Sequence, residues 1–201
     1  ILYYVYTEIY RDRQTADIFK FYDDSLALAQ VFFDSPSDFI KIIIGIHEDH
    51  FLMDYFINMN HWDNSYESVI TNESRVIIKI CAIINLISLN NYVVNVIIFT
   101  MMGYIGIILT IRSLALLYPS KYVKYLFWSV VLFPSIFIWS AGVLKEPIIL
   151  LGLGMFLFGI LSIHKKKEKK WFYWVLLGLG LVILLKGKFY IFCCLLPTVT
   201  V

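Results

Sequence analysis

Lys165-Lys166-Lys167-Glu168-Lys169-Lys170 is a cationic knot set between two apolar stretches, residues 147–163 and 171–185. A soluble domain has little use for that arrangement. A membrane protein does, because Lys and Arg collect in short cytoplasmic loops beside membrane-spanning helices. The knot therefore orients the rest of the chain. With it in the cytoplasm, the turn at residues 142–147 lies outside and the turn at residues 112–124 returns to the inside. That inner turn carries Arg112, Lys121 and Lys124 and no acid. Residues 11–75, which are rich in acids, fall on the outer face. Two separate basic loops thus agree with one topology, in which the chain sits in the plasma membrane.

Composition points the same way. Of 201 residues, 60% are apolar and 17% aromatic, and the mean hydropathy is +0.75. A soluble domain is roughly 45–50% apolar. The excess cannot be hidden in one water-soluble core of this size, so lipid must serve as part of the solvent. The net charge of +2 says less than its distribution, with most acids in residues 8–75 and a block of bases at 165–170. The basic residues form no interleaved aromatic–basic surface, which argues against a nucleic-acid partner. Cys81, Cys193 and Cys194 all lie in apolar runs without a CxxC spacing, and read as small buried hydrophobes.

The expected fold is all-α, a polytopic transmembrane helix bundle with interfacial helices in a large first outer loop. Residues 1–10 are too few to span and suit the end of a truncated first helix, since roughly 20 are needed. The start at Ile1 and the end at Val201, both in apolar runs, suggest a piece of a longer multi-spanning protein. Residues 11–91 form the outer loop and 92–201 the bundle. Spans are expected at about 92–111, 125–141, 147–163 and 171–185, with a partial one at 189–201. In the loop, Asp24 or Ser25 suits the N-cap of a helix through Leu26, Leu28, Ala29, Phe32 and Phe33. Ser35-Pro36-Ser37-Asp38 ends that helix and caps a second over Phe39 to Ile46. Residues 76–89 read as a re-entrant or interfacial helix. Glu146-Pro147 opens a helix, because Pro suits the first helical position and an acid suits the positive helix end. Gly152, Gly154, Gly159, Gly178 and Gly180 read as packing notches between spans.

Four stretches carry candidate chemistry. Asp23 and Asp24 are paired carboxylates on the outer side, suited to a general base or to a divalent ion at a phosphate, although Asp24 equally suits a helix cap. His47-Glu48-Asp49-His50 with Asp54 and His61-Trp62-Asp63 is dense in His and acids, but it is no HExxH and no Cys joins it. His and acids at this density could bind a divalent metal, but the spacing does not support one and the cofactor stays undetermined; His61 and Trp62 suit a polar loop that stacks on a sugar ring. Lys145 and Glu146 sit at a membrane boundary, where ionisable residues are functional candidates, Lys145 as a point charge for a lipid phosphate. Lys186 and Lys188 follow a short span near the outer face and suit anionic headgroups or a diphosphate. No GxGxxG, Walker loop or GxSxG is present, which removes support for soluble nucleotide chemistry.

Taken in order, Tyr22-Asp23-Asp24, the Asn72–Arg75 element and Pro134-Ser135…Trp139-Ser140-Ala141-Gly142…Lys145-Glu146 resemble bacterial multi-spanning glycosyltransferases of the C-type fold. The nearest likeness is to the protein-mannosyltransferase-like group of surface-polysaccharide assembly. The resemblance implies a donor sugar on a polyprenyl phosphate and an outer-face acceptor glycan or lipid. It implies Asp23 or Asp24 as the first-loop acid, Glu146 as the later acid and Lys145 as a phosphate contact. Three alternatives stay open, one of them a structural membrane subunit with no chemistry, whose outer acids could be replaced freely. An O-antigen-type polysaccharide polymerase would rely on Arg-rich outer loops, and here the loop offers Arg11, Arg13 and Arg75. A transporter or flippase subunit would draw on ionisable and polar groups within spans, for which Lys79, Asn85 and Asn95 are the candidates.

Overall fold

A computed structural model describes Tyr4, Glu8 and residues 16–46, 50–57, 59, 62, 73–140, 142–166 and 171–199. The expected end of a first span at residues 1–10 therefore lies, those two positions apart, outside the described residues, as do the last four residues of the knot, 167–170. Among the described residues every regular element is helical. Two helices are long and apolar enough to cross a bilayer, Tyr92–Ala115 and Lys145–Lys165. The chain divides into two compact units, residues 1–98 with 142–144 and residues 99–141 with 145–201.

The first unit is built on α1 (Asp17–Asp34) and α4 (Glu73–Ser88), with α2 (Pro36–Ile44) and α3 (His50–Phe56) between them in sequence. The expected helix start at Asp24 or Ser25 is incorrect, because α1 runs unbroken through both from Asp17. The reason is tertiary. Phe19, Tyr22, Ser25, Leu28 and Ala29 recur at helical spacing and are all buried. Ser25 finds its partners inside the fold rather than at a helix end: its hydroxyl donates to the Tyr22 carbonyl at 2.6 Å and accepts from Asn85 Nδ2 of α4 at 2.8 Å. On α4 the matching face is Ile78, Cys81, Ala82 and Asn85, each no more than 1% exposed. Small residues on both helices let the backbones approach closely. Residues 76–89, where a re-entrant or interfacial helix is expected, fall almost wholly in this helix, which packs on α1.

Three local signals work as chemistry requires. Pro36 sits at the start of α2, where its missing N–H costs nothing, and Asp38 accepts from Lys41 at 3.1 Å. Gly45 closes α2 in the left-handed region at φ 108°, and Ile46 N–H reaches back to the Lys41 carbonyl at 2.9 Å. Asn91 opens α5 (Tyr92–Ala115), its Oδ1 accepting from the Val93 and Val94 amides at 3.0 and 3.4 Å. The connection from α4 into α5 is therefore three residues, Leu89, Asn90 and the capping Asn91, the first two left-handed at φ 53° and 60°. The Tyr22 hydroxyl donates to the Asn90 carbonyl and holds that turn against α1. Tyr92 then packs on Phe19 and Tyr22, with ring centres 5.4 and 5.0 Å apart.

The second unit takes the rest of α5, α6 (Val123–Val131), α7 (Pro134–Trp139), α8 (Lys145–Lys166), α9 (Trp171–Gly187) and α10 (Phe189–Val199). The expected continuous span over 125–141 is not there. Pro134 holds Phe133 in an extended conformation, φ −76° and ψ 108°, and splits the stretch into helices of nine and six residues. Helix α8 is 22 residues, roughly 33 Å; α9 is 17 residues, roughly 26 Å. They run antiparallel, with Gly152 against Ile183, Gly180 against Phe156 and Gly159 against Tyr173 and Leu177. After the Lys186-Gly187-Lys188 turn, α10 reverses again: Ile191 and Phe192 join the Ile149, Phe156 and Leu184 cluster. Helices α5 and α8 touch backbone to backbone at Gly106 and Gly154, where either Cβ would overlap the opposite main chain. Gly178 faces open space and makes no such contact.

Candidate functional site

The turn after α9 and the start of α8 meet at one end of the second unit. Lys188 is the single residue between α9 and α10. Its Nζ lies 3.8 Å from Glu146 Oε1, in the first turn of α8. Position fixes the acid chemically as well as sterically, since a carboxylate in the first turn meets the positive end of the helix. Both side chains keep contact with solvent, at 22% exposure for Lys188 and 36% for Glu146. They flank a cavity of about 380 Å³. Its other walls are Ser135, Ile136 and Trp139 from α7, Ile149 and Leu150 from α8, and Ile191 from α10. The break at Pro134 positions this site: it starts the short helix that presents Ser135 and Trp139. The result is an apolar cleft with a cation, an anion and a hydroxyl at its rim, which suits an amphipathic molecule with an anionic head.

The candidate residues divide between the two units. Glu146 and Lys188 come together in the cleft, and the Tyr190 ring lies 5.9 Å from the Lys188 ammonium. Lys145 precedes Glu146 and is half-buried, while Lys186 is exposed one residue before Gly187. Asp23 and Asp24 lie in mid-helix in the first unit, Asp23 half-buried and Asp24 only 2% exposed. They are part of the α1 packing rather than of an open loop. Trp62 is also buried, its ring stacked on Phe56 at 4.5 Å with Arg75 5.3 Å from its centre. The expectation of an exposed Trp62 stacking on a sugar is thus incorrect: the ring is already covered by an aromatic and a guanidinium. His61, His47-Glu48-Asp49 and Asp63 lie outside the described residues. Among the described residues no group of three or more His, Cys, Asp or Glu could hold a metal ion.

Asn85 and Asn95, named above as polar groups within apolar helices, form a second polar constellation with Ser25. Asn95 Nδ2 donates to Asn85 Oδ1, and Asn85 in turn donates to Ser25. Asn85, Asn95 and Ser25 are all buried at the junction of α1, α4 and α5. Asparagine inside an apolar helix was the available signal. The pairing itself depends on which helices meet.

No family model matches the chain, and no curated protein or solved structure matches it.

Proposed function

We propose that this is a polytopic plasma-membrane protein that moves a sugar from a polyprenyl-phosphate donor to an outer-face acceptor, a glycan or a lipid. The observation that carries the reading is the Glu146–Lys188 pair at the mouth of the apolar cleft. An isoprenoid chain suits walls of Ile136, Trp139, Ile149 and Ile191, and its phosphate suits the Lys188 ammonium. In the transfer, the acceptor hydroxyl oxygen bonds to the sugar C1 as the C1–O bond to phosphate breaks. Glu146 takes the hydroxyl proton. The phosphate leaves with the bonding electrons, and Lys188 offsets its growing charge, with Lys145 and Lys186 as further cations at this end.

Membrane placement is supported by more than helix length. On α5, Val93, Ile97, Met101 and Tyr104 are exposed at helical spacing. On α9, Trp171, Trp174, Val175, Leu179 and Val182 do the same. Continuous apolar stripes of this kind need a lipid or protein partner. The cationic knot assigns the Lys165 end of α8 to the cytoplasm and the Glu146 end to the outside. The transporter alternative is weakened, because Asn85 and Asn95 bind each other and Lys79 lies 5.9 Å from the Trp62 ring.

The test is donor turnover. The full chain in vesicles, given a polyprenyl-phosphate hexose and a hydroxyl acceptor, should release polyprenyl phosphate. Glu146→Gln should slow release by about 10²-fold or more, the usual effect of losing a general base. Undiminished release in both Glu146→Gln and Lys188→Gln would remove this assignment.

A further inference from the structure

A second cavity precedes the Glu146–Lys188 cleft in the chain and shares none of its lining residues. Tyr118, Tyr122, Tyr125, Leu126 and Ser129 line a groove of about 380 Å³. It is formed where α5 ends, a 3₁₀ turn covers Ser120–Tyr122 and α6 begins. All three tyrosines are exposed, at 52%, 45% and 71%. Around it the charge has one sign. The Lys121 ammonium stands 5.0 Å from the centre of the Tyr122 ring, one of the groove walls. Lys124 and Arg112 are exposed, and residues 112–124 contain no acid.

We propose that this groove is a binding site for an anionic phospholipid of the inner leaflet. The proposal rests on the membrane placement above and not on the transfer chemistry. Charge complementarity selects the occupant: a lipid phosphate meets Lys121 and Lys124, and the tyrosine faces meet the glycerol and upper acyl region. Tyrosine suits that depth because its ring is apolar and its hydroxyl polar. A neutral lipid would leave the cations without a counter-charge, and a soluble phosphate would leave the aromatic walls exposed.

The experiment uses the full chain with Cys193→Ser and Cys194→Ser, reconstituted in phosphatidylcholine vesicles. A fluorophore is attached at Ser129→Cys in the groove or, as a control, at Leu179→Cys on the exposed face of α9. Brominated phosphatidylglycerol and brominated phosphatidylcholine are compared as quenchers. The groove label should be quenched preferentially by the anionic lipid, and the control label should not. Lys121→Gln and Lys124→Gln should each lower the preference about fivefold, as expected for about 1 kcal/mol per basic residue at an anionic surface. Excess glycerol 3-phosphate should leave it unchanged. Equal preference at both labels, or a preference indifferent to both lysines, overturns the site. Competition by glycerol 3-phosphate overturns the commitment to a lipid. Failure of the chain to float with the vesicles overturns the membrane placement itself, which separates that outcome from failure of the groove.

Discussion

Lys188 Nζ lies 3.8 Å from Glu146 Oε1, across the gap between the start of one long helix and the turn that reverses the chain 42 positions later (188 − 146). The pair is partly solvated, so its contribution to folding is small. Exposed ion pairs contribute roughly 0–1 kcal/mol. Glu146→Gln and Lys188→Gln should therefore each change unfolding free energy by no more than about 1 kcal/mol in a denaturant titration while donor turnover collapses. A large stability loss in both variants would mean that the pair is structural.

The contact between α5 and α8 depends on two residues without side chains. A methyl on Gly154 would overlap the Gly106 main chain, and backbone cannot swing aside as a side chain can. Gly154→Ala should destabilise by about 1–3 kcal/mol, the usual range for overpacking. Gly178→Ala on α9 meets open space and should stabilise by roughly 0.5–1 kcal/mol through helix propensity. Thermal unfolding of the two variants should move in opposite directions.

Leu89 is left-handed at φ 53° and 87% exposed. It carries the conformational cost of that region without burying its side chain. Leu89→Gly should stabilise by about 1 kcal/mol, since glycine adopts this conformation freely. A loss of stability would show that the leucine makes a contact worth more than its backbone strain.

Asp38 gives a pH dependence of known sign. The Ser35 hydroxyl, and then the Lys41 ammonium, hold its carboxyl below the usual 3.8. A depressed folded value means that the stabilisation is complete above the unfolded value and is lost as pH falls through the lower folded one. Wild type should therefore lose stability faster than Asp38→Asn on acidification below about pH 4, near the unfolded carboxylate value. Parallel acid-unfolding curves for the two proteins would contradict the assignment.

Much of the architecture could be read directly, and the failures have physical causes. Long apolar runs over 92–111 and 147–163 announce the helices of membrane length, Tyr92–Ala115 and Lys145–Lys165, because the signal is local and additive. Glycine notches at 152, 154, 159 and 180 follow the same logic, whereas Gly178 shows that spacing alone cannot say which face meets a neighbour. Asp24-Ser25 imitates a helix start, and only the partner face carrying Asn85 explains why the helix runs through it. Trp62 looks like a surface ring until Phe56 and Arg75 are known to cover it. Pro134 restrains the residue before it and so marks the break, but the apolar run on either side reads as one continuous span. Of the site, Glu146 and Lys188 could be named separately. Their meeting depends on α9 reversing into α10, and no local pattern encodes that.

Sidedness tests the central claim most directly. In intact cells carrying the Cys193→Ser and Cys194→Ser background, a membrane-impermeant maleimide should label Lys186→Cys, beside the cleft. Lys165→Cys, at the opposite end of α8, should react only after permeabilisation. Labelling of Lys165→Cys from outside, with Lys186→Cys protected, would invert the protein and remove the outer-face cleft on which the account depends.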